Sequence, residues 1–237
     1  MKTKKTALIT GASQGLGLAL AKALAENNWQ LIINGRDARR LLEAQKTLAA
    51  QTEVVAISGD VRDEIHLLQL HDALATRQWT LDLVVNNASM LGTSPRSTLL
   101  DHPVDNLHQL FHTNIIAPLS LLQKVKGLLQ PQAQIINVSS DAAVEAYAGW
   151  GAYGSSKAAL DHLSAILAQE APQWKIYAFD PGDMRTAMHQ AAFPGEDISD
   201  RPSPETVAVP ALLQLLNQRP ASGRYTAGAI LALQAQS

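Results

Sequence analysis

Short runs of consecutive apolar residues alternate along the chain with longer stretches in which apolar positions recur every three or four residues. The short runs fall near 6–10, 30–34, 54–58, 82–86, 133–138, 175–179 and 226–232. They are apolar at successive positions, the pattern of strands covered on both faces. Amphipathic stretches near 15–27, 38–50, 63–77, 104–129, 153–170 and 204–217 predict the covering helices. This alternation predicts an α/β fold: a doubly wound parallel sheet of about seven strands with helices on both faces. Ligands of such sheets sit outside the carboxyl ends of the strands, so the residues just after each strand are where chemistry is expected. There is no repeat and no low-complexity linker, and residues 1–237 read as one domain. Residues 183–203, with Pro194, Gly195 and Pro202, read as a long loop, either a lid over a site or a surface insertion.

Composition narrows the possibilities. At 237 residues the chain has an ordinary length for one α/β domain and can bury a substantial core. Charged residues make up 17%, below the usual ~25%; a large core and a surface covered by partner subunits both fit. The net charge is −2 with no basic block, so no nucleic-acid partner is expected. No apolar window reaches the ~18 residues of a membrane span. The run Thr6-Ala7-Leu8-Ile9-Thr10 is too short for an export signal and passes directly into a glycine-rich turn. It reads as the first strand, and the cytoplasm is the expected compartment. With no cysteine, disulfides, thiol catalysis and cysteine-ligated metal are excluded. His108 and His112 are four apart on a predicted helix but lack the glutamate of H-E-x-x-H, so no metal is expected.

The first strand ends in Thr10-Gly11-Ala12-Ser13-Gln14-Gly15-Leu16-Gly17, and a helix follows. Glycines permit a tight turn and close backbone approach to a pyrophosphate, and the helix start offers unpaired N–H groups and a favourable dipole. The spacing is G-x-x-x-G-x-G, distinct from the common G-x-G-x-x-G. NAD enzymes usually carry an acid near the end of the second strand for the ribose 2′-hydroxyl. Here Leu31-Ile32-Ile33-Asn34-Gly35-Arg36 has none. Arg36 offers a planar fork for a 2′-phosphate, which favours NADP(H), with NAD(H) the second option; a solvated surface arginine is the plain alternative. Asp37 reads as the N-cap of the next helix. The neighbouring Arg39 and Arg40 could assist the phosphate or simply be solvated.

Tyr153 and Lys157 are four residues apart near a helix start, which puts them on one face. Ser139-Ser140 follows the fifth strand, Asn86-Asn87-Ala88-Ser89 the fourth, and Pro181-Gly182 the sixth, with Thr186 beyond. T-G-x-x-x-G-x-G, N-N-A-x, a helical Asn, S-S, Y-x-x-x-K and P-G-x-x-x-T occur in the order and spacing of the short-chain dehydrogenase/reductase family. The chain resembles that family, of Rossmann-type fold, from Thr10 to Thr186.

The resemblance implies roles residue by residue. Gly11, Ser13, Gln14, Gly15, Leu16 and Gly17 would line the pyrophosphate. Asp60 and Val61 would hold the adenine edge, and Asn87 with Ala88 the adjacent ribose region. Tyr153 would be the acid/base and Lys157 would bind the nicotinamide ribose. Ser140, thirteen residues before Tyr153, would orient the substrate oxygen. Pro181, Gly182, Met184 and Thr186 would flank the nicotinamide. Asn114 matches the family's helical asparagine, whose backbone binds a water linked to the lysine. Pro118 has no N–H to return to the Asn114 carbonyl, so a kink there would leave that carbonyl free for water; a kink without chemical duty is the alternative. Two departures stand out. Ser89 replaces the usual Gly, which is expected to crowd its turn, and Gln14 replaces the basic residue frequent in NADP enzymes.

The chemistry expected is interconversion of a carbonyl compound and an alcohol. A free tyrosine titrates at about 10, and an ammonium and a cationic nicotinamide would both pull Tyr153 down. The other class of function is a non-catalytic NADP(H)-binding regulator, which need not keep Ser140, Tyr153 and Lys157 together. Family resemblance and the low charged fraction imply a homodimer or homotetramer through the helices near 104–129 and 153–170. Trp150, Met184, Met188 and Phe193 read as an apolar pocket or as core. The stretch Gly149–Tyr153 is faintly similar to sepiapterin reductases, but Arg224-Tyr225-Thr226-Ala227-Gly228 stands where their acidic pterin anchor would be.

Overall fold

A computed structural model of the chain describes residues 4–234. Seven strands form one sheet in the order β3-β2-β1-β4-β5-β6-β7. They are β1 Thr6–Ile9, β2 Gln30–Gly35, β3 Val54–Ser58, β4 Leu81–Asn86, β5 Leu129–Val138, β6 Lys175–Asp180 and β7 Gly223–Thr226. Every pairing is parallel. The order reverses between β1 and β4, which opens a crevice at their carboxyl ends.

The strands are apolar throughout because each successive residue enters a different core. Ile9, Ile33, Val85, Ile136 and Phe179 point to one face, where they meet helices α1 (Gly15–Glu26), α2 (Ala38–Leu48) and α8 (Ala208–Gln218). Leu8, Ile32, Val84, Ile135 and Ile176 point to the other, against α3 (Glu64–Thr76) and α5 (Ala117–Val125). These strand side chains are almost fully excluded from water; each contributes about 1.5–3 kcal/mol of transfer free energy.

Two of the differences from the sequence expectation have a local cause. The apolar run expected as a strand over 226–232 is strand only to Thr226, and α9 (Ala227–Gln234) follows. The strand itself begins earlier, at Gly223, opposite Tyr177. The run Ala-Gly-Ala-Ile-Leu-Ala-Leu is rich in strong helix formers, and the Thr226 hydroxyl caps the new helix by accepting the Ala229 N–H at 3.1 Å. The second is the helix expected over 104–129. It is divided into α4 (Val104–Phe111), a π turn at His112–Ile116, α5, and a 3₁₀ turn at Lys126–Leu128. The Ala117 N–H reaches back to the carbonyl of His112, five residues away. Pro118, without an N–H, sits in the first turn of the α-helical segment that follows, so the expected irregularity takes the form of a π bulge. Asp37 caps α2 as expected, accepting the Arg40 N–H at 3.0 Å. Within 183–203 the chain forms a short helix, α7 (Ala187–Ala192).

Candidate active site

One cleft of about 860 Å³ runs along the carboxyl ends of the strands. It begins at the turn after β1. Gly11 and Gly15 have φ of +65° and +56°, conformations natural to glycine. A Cβ on Gly17 would lie 2.5 Å from the Gly11 carbonyl oxygen, so this glycine lets α1 pack under its own loop. Gln14 precedes α1 without a side-chain cap, which leaves the helix start open to a ligand anion. Gly11, Ser13, Gln14, Gly15 and Leu16 line the cleft, whereas Gly17 lies behind them. The turn is held to β4 from below. Asn87 donates to the carbonyls of Thr10 and Gly11 at 2.9 and 3.1 Å, and the Thr10 hydroxyl accepts the N–H groups of Asn87 and Ala88. Asn87 and Ala88 both reach the cleft wall, but the Asn87 amide nitrogen is committed to the loop.

At the ends of β2 and β3 the cleft carries Arg36, Asp37, Arg40, Asp60 and Val61. Both acids are engaged. Asp60 takes a bidentate bond from Arg62, which holds its carboxyl at about 2. Asp37 is occupied by the Arg40 N–H and guanidinium. Arg36 is exposed and makes no hydrogen bond or ion pair among the described residues. Arg40 donates to Gln14 Oε1 at 2.8 Å, so a guanidinium is fastened beside the phosphate turn. The sequence left the part of Arg40 open; its place follows from the 26-residue reach to Gln14. This corner offers free cationic donors and no free carboxylate, which fits a 2′-phosphate better than a bare ribose hydroxyl.

At the other end, α6 (Gly151–Glu170) places Tyr153 and Lys157 on its first turns. Lys157 is 2% exposed. Its ammonium donates to the Val138 carbonyl at 2.8 Å and lies 5.5 Å from the Tyr153 ring centre. Burial lowers Lys157 to about 8, opposed by the Asp161 charge. Burial also pushes the Tyr153 phenol well above its ordinary value, opposed by the hydroxyls of Ser140 and Ser89. Desolvation is the largest influence on this phenol, so the lowered Tyr153 value expected from the neighbouring ammonium is not seen. Ser140, not Ser139, stands at the tyrosine: Ser139 is 2% exposed, and its hydroxyl has no hydrogen bond.

Asn114 does not line the cleft; it is buried in the π turn. Its side chain accepts from Ser89 Oγ and the Met90 N–H and donates to the Met90 carbonyl and Ser156 Oγ, all within 3.1 Å. Ser89 takes part in this network, donating its hydroxyl to Asn114. It joins Asn114 to the neighbourhood of Tyr153, a role with no sequence signal, since residues 89, 114 and 153 meet only in the folded chain.

Pro181, Gly182, Met184 and Thr186 line the same end after β6. Trp150 stands 5.7 Å from Tyr153 and 6.0 Å from Phe193, ring centre to centre, and Trp150 and Phe193 both line the cleft, so the pocket rather than the core reading holds for them. Arg96 lies over both Trp150 and Phe193, at 4.2 and 4.6 Å from their centres. Among the described residues, no three His, Cys, Asp or Glu side chains group as metal ligands, and no helix is long and apolar enough to cross a membrane.

This arrangement can be compared with known proteins. The short chain dehydrogenase family pattern matches residues 5–197. A benzil reductase of Saccharomyces cerevisiae that forms (S)-benzoin is 34% identical over 195 residues, covering 78% of this chain and 74% of its own. An NADPH-dependent pterin aldehyde reductase of Arabidopsis thaliana is 28% identical over 224 residues, covering 90% and 88%. A short chain dehydrogenase of Shigella flexneri, solved in complex with NADP, superposes with a TM-score of 0.86 at 25% identity over 94% of this chain and 97% of its own. An uncapped helix start, a Tyr-x-x-x-Lys helix and a seven-stranded parallel sheet thus occur in a chain matched by the family pattern over most of its length: the protein belongs to the short-chain dehydrogenase/reductase family of oxidoreductases, which act on CH–OH and C=O groups.

Proposed function

We propose that the protein is an NADP(H)-dependent carbonyl reductase, or alcohol dehydrogenase in the reverse direction, with Tyr153 as its acid/base. The observation that carries this is the grouping of Tyr153, Lys157 and the Ser140 hydroxyl at one end of a cleft whose other end is an uncapped helix start with Arg36 and Arg40 beside it. The pyrophosphate would lie on Ser13–Leu16, the adenine beside Asp60 and Val61, and the nicotinamide against Pro181, Gly182, Met184 and Thr186. The nicotinamide supplies or takes the hydride at the substrate carbon.

The chain supplies the rest. The Ser140 hydroxyl orients the carbonyl oxygen, and the Tyr153 hydroxyl gives that oxygen its proton, so the alcohol forms as the phenolate is left behind. A phenol raised by burial is a firm proton holder until charge develops on the substrate oxygen. Lys157, charged below about pH 8, then stabilises the phenolate and holds the ribose.

The substrate end favours an aromatic or otherwise planar carbonyl compound, because Trp150 and Phe193 form its wall. The two relatives above, named for benzil and for pterin aldehydes, act on substrates of that shape. Residues 183–203, which carry α7 and Phe193, would close over it as a lid.

The test is turnover with NADPH against a panel of aromatic and aliphatic ketones and aldehydes, read by the loss of NADPH absorbance, with Tyr153→Phe as control. Turnover is expected, strongest for aromatic members, and the Phe variant should lose nearly all of it while NADPH affinity stays close to wild type. A wild type that binds NADPH but reduces nothing would favour the regulator. A Phe variant that keeps a substantial rate would remove Tyr153 from the chemistry.

A further inference from the structure

Behind the site, β7 carries a side chain that the reaction described above does not use. Arg224 lies on the sheet edge opposite Ala178, and its guanidinium reaches inward under the strand ends. Nε donates to Asp161 Oδ2 at 2.9 Å. Nη2 donates to the Ser140 carbonyl at 2.9 Å and to Asp180 Oδ2 at 3.0 Å. Asp161 and Asp180 are well buried, with side chains 14% and 8% exposed.

Each partner leads directly to a functional element. Ser140 carries the hydroxyl at Tyr153. Asp180 ends β6, and its other oxygen accepts the Gly182 N–H at 3.0 Å, which fixes the turn at the nicotinamide end. Asp161 follows Lys157 by one turn of α6. Three elements more than a dozen residues apart therefore meet on one planar fork, a geometry that guanidinium provides and ammonium does not.

We propose that Arg224 is a positioning residue: by binding the Ser140 carbonyl, Asp180 and Asp161 together, it fixes the substrate-orienting serine, the turn at the nicotinamide and the helix bearing Tyr153 and Lys157 as one rigid frame. The proposal rests on the functional reading above and extends it to β7. Buried ion pairs add little net stability, since the cost of desolvating both ions offsets their attraction. Placement is what such a network supplies here.

The charges balance: Lys157 and Arg224 face Asp161 and Asp180. Lys157 is approached by Tyr153 and Asp161 on its own helix and by the Val138 carbonyl from β5. Asp161 is approached by Arg224 from β7 and by Ser139 just after β5. Ser139 favours the ionised carboxylate, although Asp161 Oδ1 and Ser139 Oγ fall short of a hydrogen bond. Asp180 of β6 joins through Arg224, and Asp141 acts on Tyr153 from the turn after β5. Asp161 holds the proton on Lys157 against burial, and Arg224 helps keep Asp161 ionised.

The experiment compares Arg224→Lys, Arg224→Gln and Asp161→Asn with wild type. It measures kcat, KM and NADPH affinity, and the titration midpoint of Lys157 by NMR in the cofactor-free protein. Arg224→Gln is expected to lower kcat on the order of tenfold to a hundredfold, the scale of a small misplacement of reacting groups. NADPH affinity should change little, because the far end of the cleft carries most of it. Arg224→Lys, which keeps the charge and loses the fork, should be intermediate. The Lys157 midpoint should fall in Asp161→Asn, by roughly a unit, and by less in Arg224→Gln, where Asp161 loses the cation that favours its charge. Should Arg224→Gln not fold, the kcat of Arg224→Lys and the midpoint of Asp161→Asn decide. Wild-type kcat in a folded Arg224 variant, or a loss confined to thermal stability with the Lys157 midpoint unmoved, overturns the proposal. If wild type itself reduces no carbonyl, the functional reading fails, and the Lys157 midpoints alone decide whether the frame exists.

Discussion

Burial governs proton chemistry at Tyr153 and Lys157 of α6. Lys157, lowered to about 8 from an ordinary 10.5, releases its proton in the folded chain before it does so unfolded. Between those values the unfolded chain holds more protons, so this group adds stability as pH rises through about 8 to 10.5 and imposes its full burial cost below about 8. The stability of Lys157→Met relative to wild type should therefore be greatest near neutral pH and shrink across that window, measured by denaturant unfolding at about pH 7 and about pH 9.5. A difference independent of pH would mean that Lys157 keeps an ordinary titration. At the other end of the cleft, Arg36 should discriminate the cofactors. Arg36→Ala is expected to weaken NADPH binding by about 1.5–3 kcal/mol, the range of a hydrogen bond to a charged group, and to leave NADH nearly unchanged in a binding titration. Equal losses for both would assign Arg36 to the fold. Arg40, fastened to Gln14, would still offer a cation, so the lower half of that range is the sharper expectation.

The π turn between α4 and α5 is the element whose irregularity has the clearest local cause. Pro118 cannot return an N–H to the Asn114 carbonyl, and the bonds around it lengthen to the five-residue pattern of His112–Ile116. We propose that the Asn114 carbonyl holds a water that connects Lys157 to solvent and restores the Tyr153 proton after each cycle. The small cavity of about 10 Å³ beside Ala117 and Pro118 is no substitute for that path, since neither Asn114 nor Lys157 lines it. Pro118→Ala should let the ordinary helix bond form and lower kcat with NADPH affinity little changed. Unchanged turnover, with the water still seen in a crystal structure of the variant, would release the proline from this role. The Asn114 side chain is a separate matter: its four bonds bind the turn to Ser89, Met90 and α6 whether or not the carbonyl carries water.

For the molecule as a whole, the low charged share of 17% is matched by exposed apolar residues on several helices, α4 and α6 among them. Leu100 is 99% exposed and Val104 64%, at the entry to α4; Ile116 in the π turn and Ile166 in α6 are also exposed. Scattered apolar residues need no explanation, but side chains as open as Leu100 and Val104, at the entry to a helix flanking the site, are candidates for cover by a second copy. We propose that these helices pair between copies in a homodimer or homotetramer. Sedimentation at micromolar concentration should show a species of at least twice the 25.4 kDa chain mass. A 25.4 kDa species alone would mean that this face stays exposed.

What the sequence determined by itself is local or repetitive. The alternation of short apolar runs with amphipathic stretches set the sheet and its covering helices, because burial on two faces leaves its mark at every residue of a strand. The turn Thr10–Gly17 and the pair Tyr153 and Lys157 were legible for a similar reason: a positive φ or a one-turn helical spacing depends only on near neighbours. The run after Thr226 was misread because a short apolar segment looks alike as strand or helix until Thr226 Oγ1 caps it. Tertiary structure decided the remainder. Arg40 on Gln14, Ser89 on Asn114, and Arg224 on Ser140 join residues 26, 25 and 84 positions apart. Parallel strands bring their carboxyl ends together only after the sheet is assembled, and no pattern along the chain records which side chains then face one another across the crevice.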